Sequence, residues 1–274
     1  MTAKPDRNNT AAPAAAATSP GPRGHVLAIT SGKGGVGKTL VSANLAAALA
    51  RMGRRVLVID ADLGLANLDV MLHLQPKITL HDVVNGRARW QDAIVEAPGG
   101  FSVLLAGSGL IEYSRLTPEL REQLRAVVEE VAPRYDHVLL DTGAGISDVV
   151  LYAVSLAGEV LILATPEPTS MADAYATVKV LAMHQQRRQL LLLVNQTRRG
   201  GEGHAVARHL QTVLDRFVSL PDGQHPQLRA LGEVPLDDAV RESVQRRQLL
   251  LTTFPGAPAS QAIVQLATRL TDVG

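Results

Sequence analysis

The chain has 274 residues, a formal net charge of +1, 46% apolar residues and no cysteine. This length allows one large α/β domain or two small ones, with a sizeable buried core. The absence of cysteine excludes disulfide bonds, thiolate zinc sites, cysteine-ligated iron–sulfur clusters and a cysteine nucleophile. The charge balance predicts no specific nucleic-acid partner, and no uncharged apolar run approaches the roughly 18 residues of a membrane span.

Residues 1–24 form a leader rich in Ala, Pro and Thr. The leader lacks the apolar core of a secretory signal, so we expect a cytoplasmic protein. Its composition predicts disorder, because so few apolar side chains cannot offset the entropy lost on ordering. The sequence therefore predicts a disordered leader over residues 1–24 and one domain over residues 25–274.

Apolar runs of strand length alternate with helix-length amphipathic segments after the leader. The runs cover residues 25–30, 54–60, 101–106, 137–141, 159–165, 190–195 and 228–234. Most are continuously apolar, which is typical of strands buried on both faces of a parallel sheet. The clearest amphipathic segment begins at Thr117 and Pro118, a favourable helix start. This alternation predicts an α/β fold with a doubly wound, mostly parallel sheet and helices on both faces.

A phosphate-binding motif follows the first predicted strand and precedes a helix, which is the context that a P-loop requires. Its glycines let backbone N–H groups turn toward phosphate oxygens, and the helix N-terminus adds its positive dipole. We expect Lys38 to reach the β- and γ-phosphates and the Thr39 hydroxyl to ligate Mg²⁺. The candidate nucleotide-binding residues of this loop are Gly32, Lys33, Gly34, Gly35, Val36, Gly37, Lys38 and Thr39.

Polar side chains end three other predicted strands. Asp60 and Asp62 follow one strand, and Asp141 ends another in the Walker B placement, where a carboxylate holds Mg²⁺ directly or through water. Asn195 ends a later strand, and its amide carries the paired donor and acceptor that an adenine edge requires. Taken alone, an asparagine there is more often a turn residue.

Four stretches together carry a family resemblance: KGGVGKT, DADLGLANLDVMLHL, DTGAGISD and PEPTSMADAYATVKVL. They resemble the ParA/MinD superfamily of P-loop ATPases, whose deviant Walker A motif contains a second lysine, here Lys33. Within it they are similar to the MinD-like regulators of flagellar number, the FlhG or FleN group. The resemblance implies a weak ATPase that works as a switch, with ATP and Mg²⁺ as cofactors and a face-to-face homodimer in the ATP-bound state.

The resemblance also implies roles for individual residues. Lys33 would cross to the phosphates of the partner protomer, Asp62 would orient the attacking water, Asp141 would be the Walker B carboxylate and Asn195 would read adenine. Residues 62–69 and 142–148 would form two nucleotide-sensitive switches. Two bound Mg·ATP molecules in one interface repel each other unless cations bridge them, which favours the role of Lys33 over that of a solvated loop lysine.

The partners implied by the resemblance are an FlhF-type GTPase, a transcriptional activator and proteins of the flagellar switch complex. Relatives often begin with a segment Asp-Gln-Ala-x-x-Leu-Arg that stimulates the GTPase. The leader here lacks that segment, so any such stimulation would need another surface. Division-site ATPases of the MinD type and DNA-partition ATPases of the ParA type are the alternative functions.

The last predicted helix has an apolar stripe in which Arg269 is the sole basic residue. A membrane-surface helix usually carries several cations and bulkier apolar residues, so packing on the core is favoured over docking on the inner membrane or at a cell pole. The stripe consists of Ala262, Ile263, Leu266, Ala267 and Leu270.

Overall fold

The computed structural model describes residues 24–63, 67–107 and 116–272. The predicted leader lies outside the described residues except for Gly24, so its disorder stays a prediction. The strands within the described residues are His25–Ser31 (β1), Val56–Ala61 (β2), Ile94–Ala97 (β3), Phe101–Leu104 (β4), His137–Ala144 (β5), Glu159–Ala164 (β6), Gln189–Thr197 (β7) and Gln227–Pro235 (β8).

Helices connect these strands. They are Lys38–Arg51 (α1), Leu68–Leu72 (α2), Leu80–Val84 (α3), Trp90–Ala93 (α4), Pro118–Val131 (α5), Asp148–Ser155 (α6), Pro168–Gln185 (α7), Glu202–Phe217 (α8), Asp238–Gln245 (α9), Leu250–Thr253 (α10) and Pro258–Thr271 (α11). The predicted start of α5 is confirmed, since the Thr117 side chain accepts a hydrogen bond from the N–H of Leu120 at 3.2 Å.

The strands form one sheet in the order β3-β4-β2-β5-β1-β6-β7-β8. Every neighbouring pair is parallel except β3 with β4. The first strand, β1, lies in the interior of the sheet, with β2 to β5 on one side of it and β6 to β8 on the other, which confirms the doubly wound α/β fold. The carboxyl ends of β5, β1 and β6 are therefore neighbours, at the edge where such sheets bind ligands.

Each central strand contributes to two hydrophobic cores. In β1, Leu27 and Ile29 pack in the cluster that includes α1 and α11, whereas Ala28 packs in the cluster that includes α5 to α8. Successive side chains of a strand point to opposite faces, so both faces need apolar residues. This explains why the predicted strands read as continuous apolar runs.

The sequence did not predict β3. This four-residue strand pairs antiparallel with β4, and the Glu96 carboxylate accepts a hydrogen bond from the Ser102 hydroxyl at 2.9 Å. The strand is short, contains a glutamate and covers a sheet edge, so it lacks the apolar run on which the other predictions rest.

The apolar stripe of α11 is buried against the core, as the packing alternative predicted. Ile263, Leu266 and Leu270 are each at most 4% exposed. Arg269 is exposed, and its guanidinium donates to the Leu231 carbonyl at 2.6 Å. The stripe is therefore used in packing against the sheet and α1.

None of the helices within residues 24–63, 67–107 and 116–272 combines the length and apolar character that crossing a bilayer requires.

We predict that Ile263→Ala lowers the free energy of unfolding by about 2–4 kcal/mol, because it leaves a cavity under α11. Val264 is 43% exposed on the same helix, so Val264→Ala is the matched control and should change stability by less than about 0.5 kcal/mol. Urea titrations of both variants measure the difference. If both variants lost the same small amount of unfolding free energy, the apolar stripe would not be what holds α11 on the core.

Candidate nucleotide-binding site

The P-loop connects β1 to α1 at the carboxyl edge of the sheet. Gly35 and Gly37 have φ angles of 76° and 95°, in the left-handed region that favours glycine. Gly37 is the N-cap of α1, so the first free N–H groups of that helix face the loop. This arrangement is suited to binding an anion such as a phosphate group.

Lys38 lies in the first turn of α1 and is only 9% exposed. Its ammonium donates to the Ser31 hydroxyl at 3.0 Å. Burial lowers the pKa of Lys38, while the carboxylates of Asp141 and Asp62 oppose that effect. Anionic neighbours therefore help the Lys38 ammonium to stay charged. Phosphate groups would add to the negative charge of the two carboxylates.

Two aspartates lie side by side on adjacent strands, Asp60 on β2 and Asp141 on β5. They are 1% and 3% exposed. Burial raises the pKa of Asp141 to about 6, against hydrogen bonds from the side chains of Ser42 and Thr39. Burial and the nearby Asp141 also raise the pKa of Asp60 well above its usual range. Both carboxyl groups thus lie where a positive charge would stabilise them.

The oxygen atoms around these aspartates fit a magnesium ion. The Ser42 hydroxyl donates to Asp141 Oδ1 at 2.8 Å, and Asp60 Oδ2 is buried with no hydrogen-bond partner among the described residues. Within those residues there is no cluster of three or more His, Cys, Asp or Glu side chains able to hold a metal. Magnesium suits such a site, because it takes few protein oxygens and completes its shell with phosphates and water.

Asp62 faces a cavity of about 1110 Å³, whose lining includes Lys38, Thr39 and Thr142. A Cβ added to Gly143 would lie 3.3 Å from Asp62 Oδ1, so the backbone of β5 runs close to this carboxylate. Asp62 is therefore brought together with the P-loop, as predicted. Within the first predicted switch, residues 64–66 lie outside the described residues.

Lys33 makes contacts at the other end of the P-loop. Its ammonium donates to Glu167 Oε2 at 2.8 Å and to the Thr169 hydroxyl at 3.1 Å, at the start of α7. The two charged side chains are 38% and 62% exposed, and the ion pair lowers the pKa of Glu167. In the single protomer, Lys33 is thus bound to its own chain, at the molecular surface.

Asn195 lies beneath the loop, where its side-chain amide donates to the Val36 carbonyl at 2.8 Å. Sequence reasoning missed this contact, as it missed Ser31, Ser42 and Glu167. Ser42 follows Lys38 by one helical turn, a spacing that places both on one face of α1 and so gave a usable signal. The contact between Lys33 and Glu167 spans 134 residues and had no local signal.

The fold and these residues define a P-loop nucleotide-binding protein, and comparisons with known proteins place it in a family. The profile of the ParA family, described as NUBPL iron-transfer P-loop NTPase, matches residues 23–271. The chain therefore belongs to the ParA/MinD family of P-loop ATPases. It has no cysteine with which to ligate an iron–sulfur cluster.

Two curated relatives are named for flagellar functions. The chain is 40% identical over 245 residues to the antiactivator FleN of Pseudomonas aeruginosa, covering 89% of this chain and 85% of that protein. It is 34% identical over 246 residues to the flagellum site-determining protein YlxH of Helicobacter pylori, covering 88% and 80%.

A similar solved structure is that of the septum site-determining protein MinD of Pyrococcus horikoshii, complexed with Mg-ADP. The TM-score is 0.73 at 27% identity, covering 91% of this chain and 96% of that chain. The ParA/MinD resemblance and the fold expected from it are thus confirmed.

Gly32 and Gly34, the first two glycines of the loop, differ in how closely other residues approach them. A Cβ on Gly32 would lie 2.2 Å from the Asp173 carbonyl oxygen of α7, whereas a Cβ on Gly34 would meet nothing within 4 Å. We predict that Gly32→Ala lowers the free energy of unfolding by about 1–3 kcal/mol through overpacking. Gly34→Ala, the matched control, should remain within about 0.5 kcal/mol of wild type in denaturant titrations. If both variants had similar free energies of unfolding, α7 would be able to move away from residue 32 at little cost, contrary to the prediction.

Proposed function

We propose that this chain is a weak ATPase that dimerises with ATP and acts as a switch, regulating flagellar number or placement through partner proteins. The position of Lys33 is the observation that supports a switch. This P-loop lysine forms an ion pair with Glu167 at the surface instead of lining the phosphate site. The two flagellar relatives support the biological assignment.

In this proposal the site binds Mg·ATP through the loop N–H groups and Lys38. Thr39 and Asp141 would hold Mg²⁺, which when bound neutralises charge on the β- and γ-phosphate oxygens. Asp62 orients a water toward the γ-phosphorus. A P–O bond to that water forms while the bond to the β–γ bridging oxygen breaks, giving ADP and phosphate.

Lys33 would exchange Glu167 for the phosphates of the partner protomer. Its ion pair with Glu167 is exposed, and exposed pairs are weak because water competes with them. A phosphate group in a closed interface offers denser negative charge with less competing water. The movement of Lys33 from Glu167 to the partner's phosphates is therefore favoured only when both protomers carry a triphosphate. This requirement couples ATP binding to dimerisation.

We predict that sedimentation velocity shows a dimer with Mg·ATP and a monomer with ADP. Asp62→Ala should lower kcat by about 100-fold or more while leaving the ATP dimer intact, because it removes only the group that orients water. Lys33→Ala should bind ATP yet remain monomeric. Lys77→Ala, at another exposed lysine, is the control and should dimerise like wild type. A monomeric Asp62→Ala protein at saturating Mg·ATP would contradict the switch.

We also predict that deleting the gene in its own organism changes the number or position of flagella per cell, counted by electron microscopy. Wild-type protein should restore the normal count, and Lys33→Ala should not. Normal flagella together with plasmid or chromosome loss would instead favour a partition function. Misplaced septa with normal flagella would favour a division-site function.

A further inference from the structure

Ser31 is the last residue of β1, immediately before the first glycine of the P-loop, and it is fully buried. Its hydroxyl lies between the two lysines of the loop. The Lys38 ammonium donates to Ser31 Oγ at 3.0 Å, and Ser31 Oγ donates to the backbone carbonyl of Lys33 at 2.7 Å. The side chain of Lys33 contacts Glu167 instead. One hydroxyl group therefore joins the side chain of one lysine to the backbone of the other.

The direction of both hydrogen bonds follows from the chemistry of the groups. An ammonium can only donate, so the oxygen of Ser31 must accept from Lys38. The single hydroxyl hydrogen is then available for the Lys33 carbonyl, which can only accept. A charged donor also polarises the hydroxyl and strengthens its own donation. The Lys33 carbonyl thus keeps the lone pairs of the hydroxyl turned toward the Lys38 ammonium.

The backbone of Ser31 is held by the neighbouring strand. Its carbonyl accepts from the N–H of Gly145, directly after β5, at 2.8 Å. Ile29, two residues earlier in β1, is paired with Asp141 of β5. The acceptor for the Lys38 ammonium therefore has a fixed position close to the carboxylate that is expected to hold Mg²⁺.

Two carboxylates compete with Ser31 for the same ammonium. Asp141 and Asp62 both attract Lys38, which is only 9% exposed. An ammonium with so little water around it needs a hydrogen-bond acceptor, and a carboxylate is a stronger acceptor than a hydroxyl. An ion pair between Lys38 and either aspartate would neutralise the negative charge that attracts Mg²⁺ and the positive charge that attracts phosphates. The Ser31 hydroxyl is a neutral acceptor that leaves both charges available.

We propose that Ser31 is a positioning residue that holds Lys38 toward the incoming phosphates and apart from the aspartates of the magnesium site. The proposal deepens the proposed function, because it rests on the P-loop binding a magnesium triphosphate. The alternative is a hydroxyl that only stabilises the fold, and Ser260 is an example of such a group. Ser260 is also fully buried and donates to the Phe254 carbonyl at 2.7 Å, but it lies outside the lining of the nucleotide cavity.

Calorimetry with Mg·ATP and with magnesium tripolyphosphate, a ligand without a base, tests this role. Ser31→Ala should weaken both ligands by about tenfold, because Lys38 turns to a carboxylate from which the phosphates must displace it. The free Mg²⁺ concentration that gives half-maximal ATP binding should rise by about threefold or more, since an ion pair then neutralises the aspartate. A hydroxyl that only stabilises the fold would not change this magnesium requirement.

Two further variants complete the binding experiment. Ser31→Cys keeps the volume of the side chain but forms only weak hydrogen bonds, so it should behave like Ser31→Ala. Ser260→Ala is the matched control, because it removes an equally buried hydroxyl, and it should keep the wild-type affinities and magnesium requirement. The proposal is overturned if either Ser31 variant binds tripolyphosphate like wild type, if affinity falls without a change in the magnesium requirement, or if Ser260→Ala shows the same losses.

Crystal structures without nucleotide test the position of Lys38 directly. In Ser31→Ala we expect the Lys38 ammonium within about 3 Å of a carboxylate oxygen of Asp141 or Asp62. An ammonium that stays in its wild-type position, although no hydroxyl is there to accept from it, would overturn the proposal. If wild type bound neither Mg·ATP nor tripolyphosphate, the proposed ATPase function would fail, yet this structure would still decide whether Ser31 keeps Lys38 away from the aspartates.

Discussion

Three charged groups are buried together at the carboxyl edge of the sheet, and the site is arranged around the cost of burying them. Lys38 begins α1, while Asp60 and Asp141 lie opposite each other on the neighbouring strands β2 and β5. Burial disfavours the charged form of each group. At Asp141 the hydroxyl groups of Ser42 and Thr39 and the charge of Lys38 compensate in part, whereas at Asp60 the charge of Asp141 adds to the cost. A magnesium nucleotide would supply positive charge beside the aspartates and negative charge beside the lysine. The residues whose charges are costly to bury therefore favour a ligand that carries both charges.

The fold was predictable where burial on both faces imposes a pattern on the sequence. A strand such as β1 sends Ala28 to one core and Leu27 to the other, so it needs an unbroken apolar run that can be recognised without any alignment. The edge strand β3 obeys a different constraint. It has one neighbour, β4, and includes Glu96, so its existence depends on the strand beside it and not on its own composition.

The site was predictable as far as its chemistry is local. Phosphate binding needs glycines, a lysine and a hydroxyl within eight residues, and strand ends bring carboxylates to the same edge. The partners of those residues were not predictable, because they come from distant parts of the chain. Val36 and Asn195 are 159 positions apart, and so their contact follows from the sheet order and from the bulge at Gln196. An asparagine at a strand end gives no sign in the sequence of which group its amide will bind.

The P-loop is held by close or buried contacts at Gly32 and Val36 but by exposed contacts at Lys33, and this difference bears on how a switch could work. At Val36 the loop is fixed by a buried side chain, and at Gly32 by close contact with the backbone of α7. Lys33 is held by one exposed ion pair and a hydroxyl. Water competes for the exposed contacts but not for the buried ones, so Lys33 can leave Glu167 while the phosphate-binding half of the loop stays in place. Nucleotide binding and dimerisation would then draw on separate contacts of one loop, and the lysine could respond to a partner without loosening the ATP beneath it.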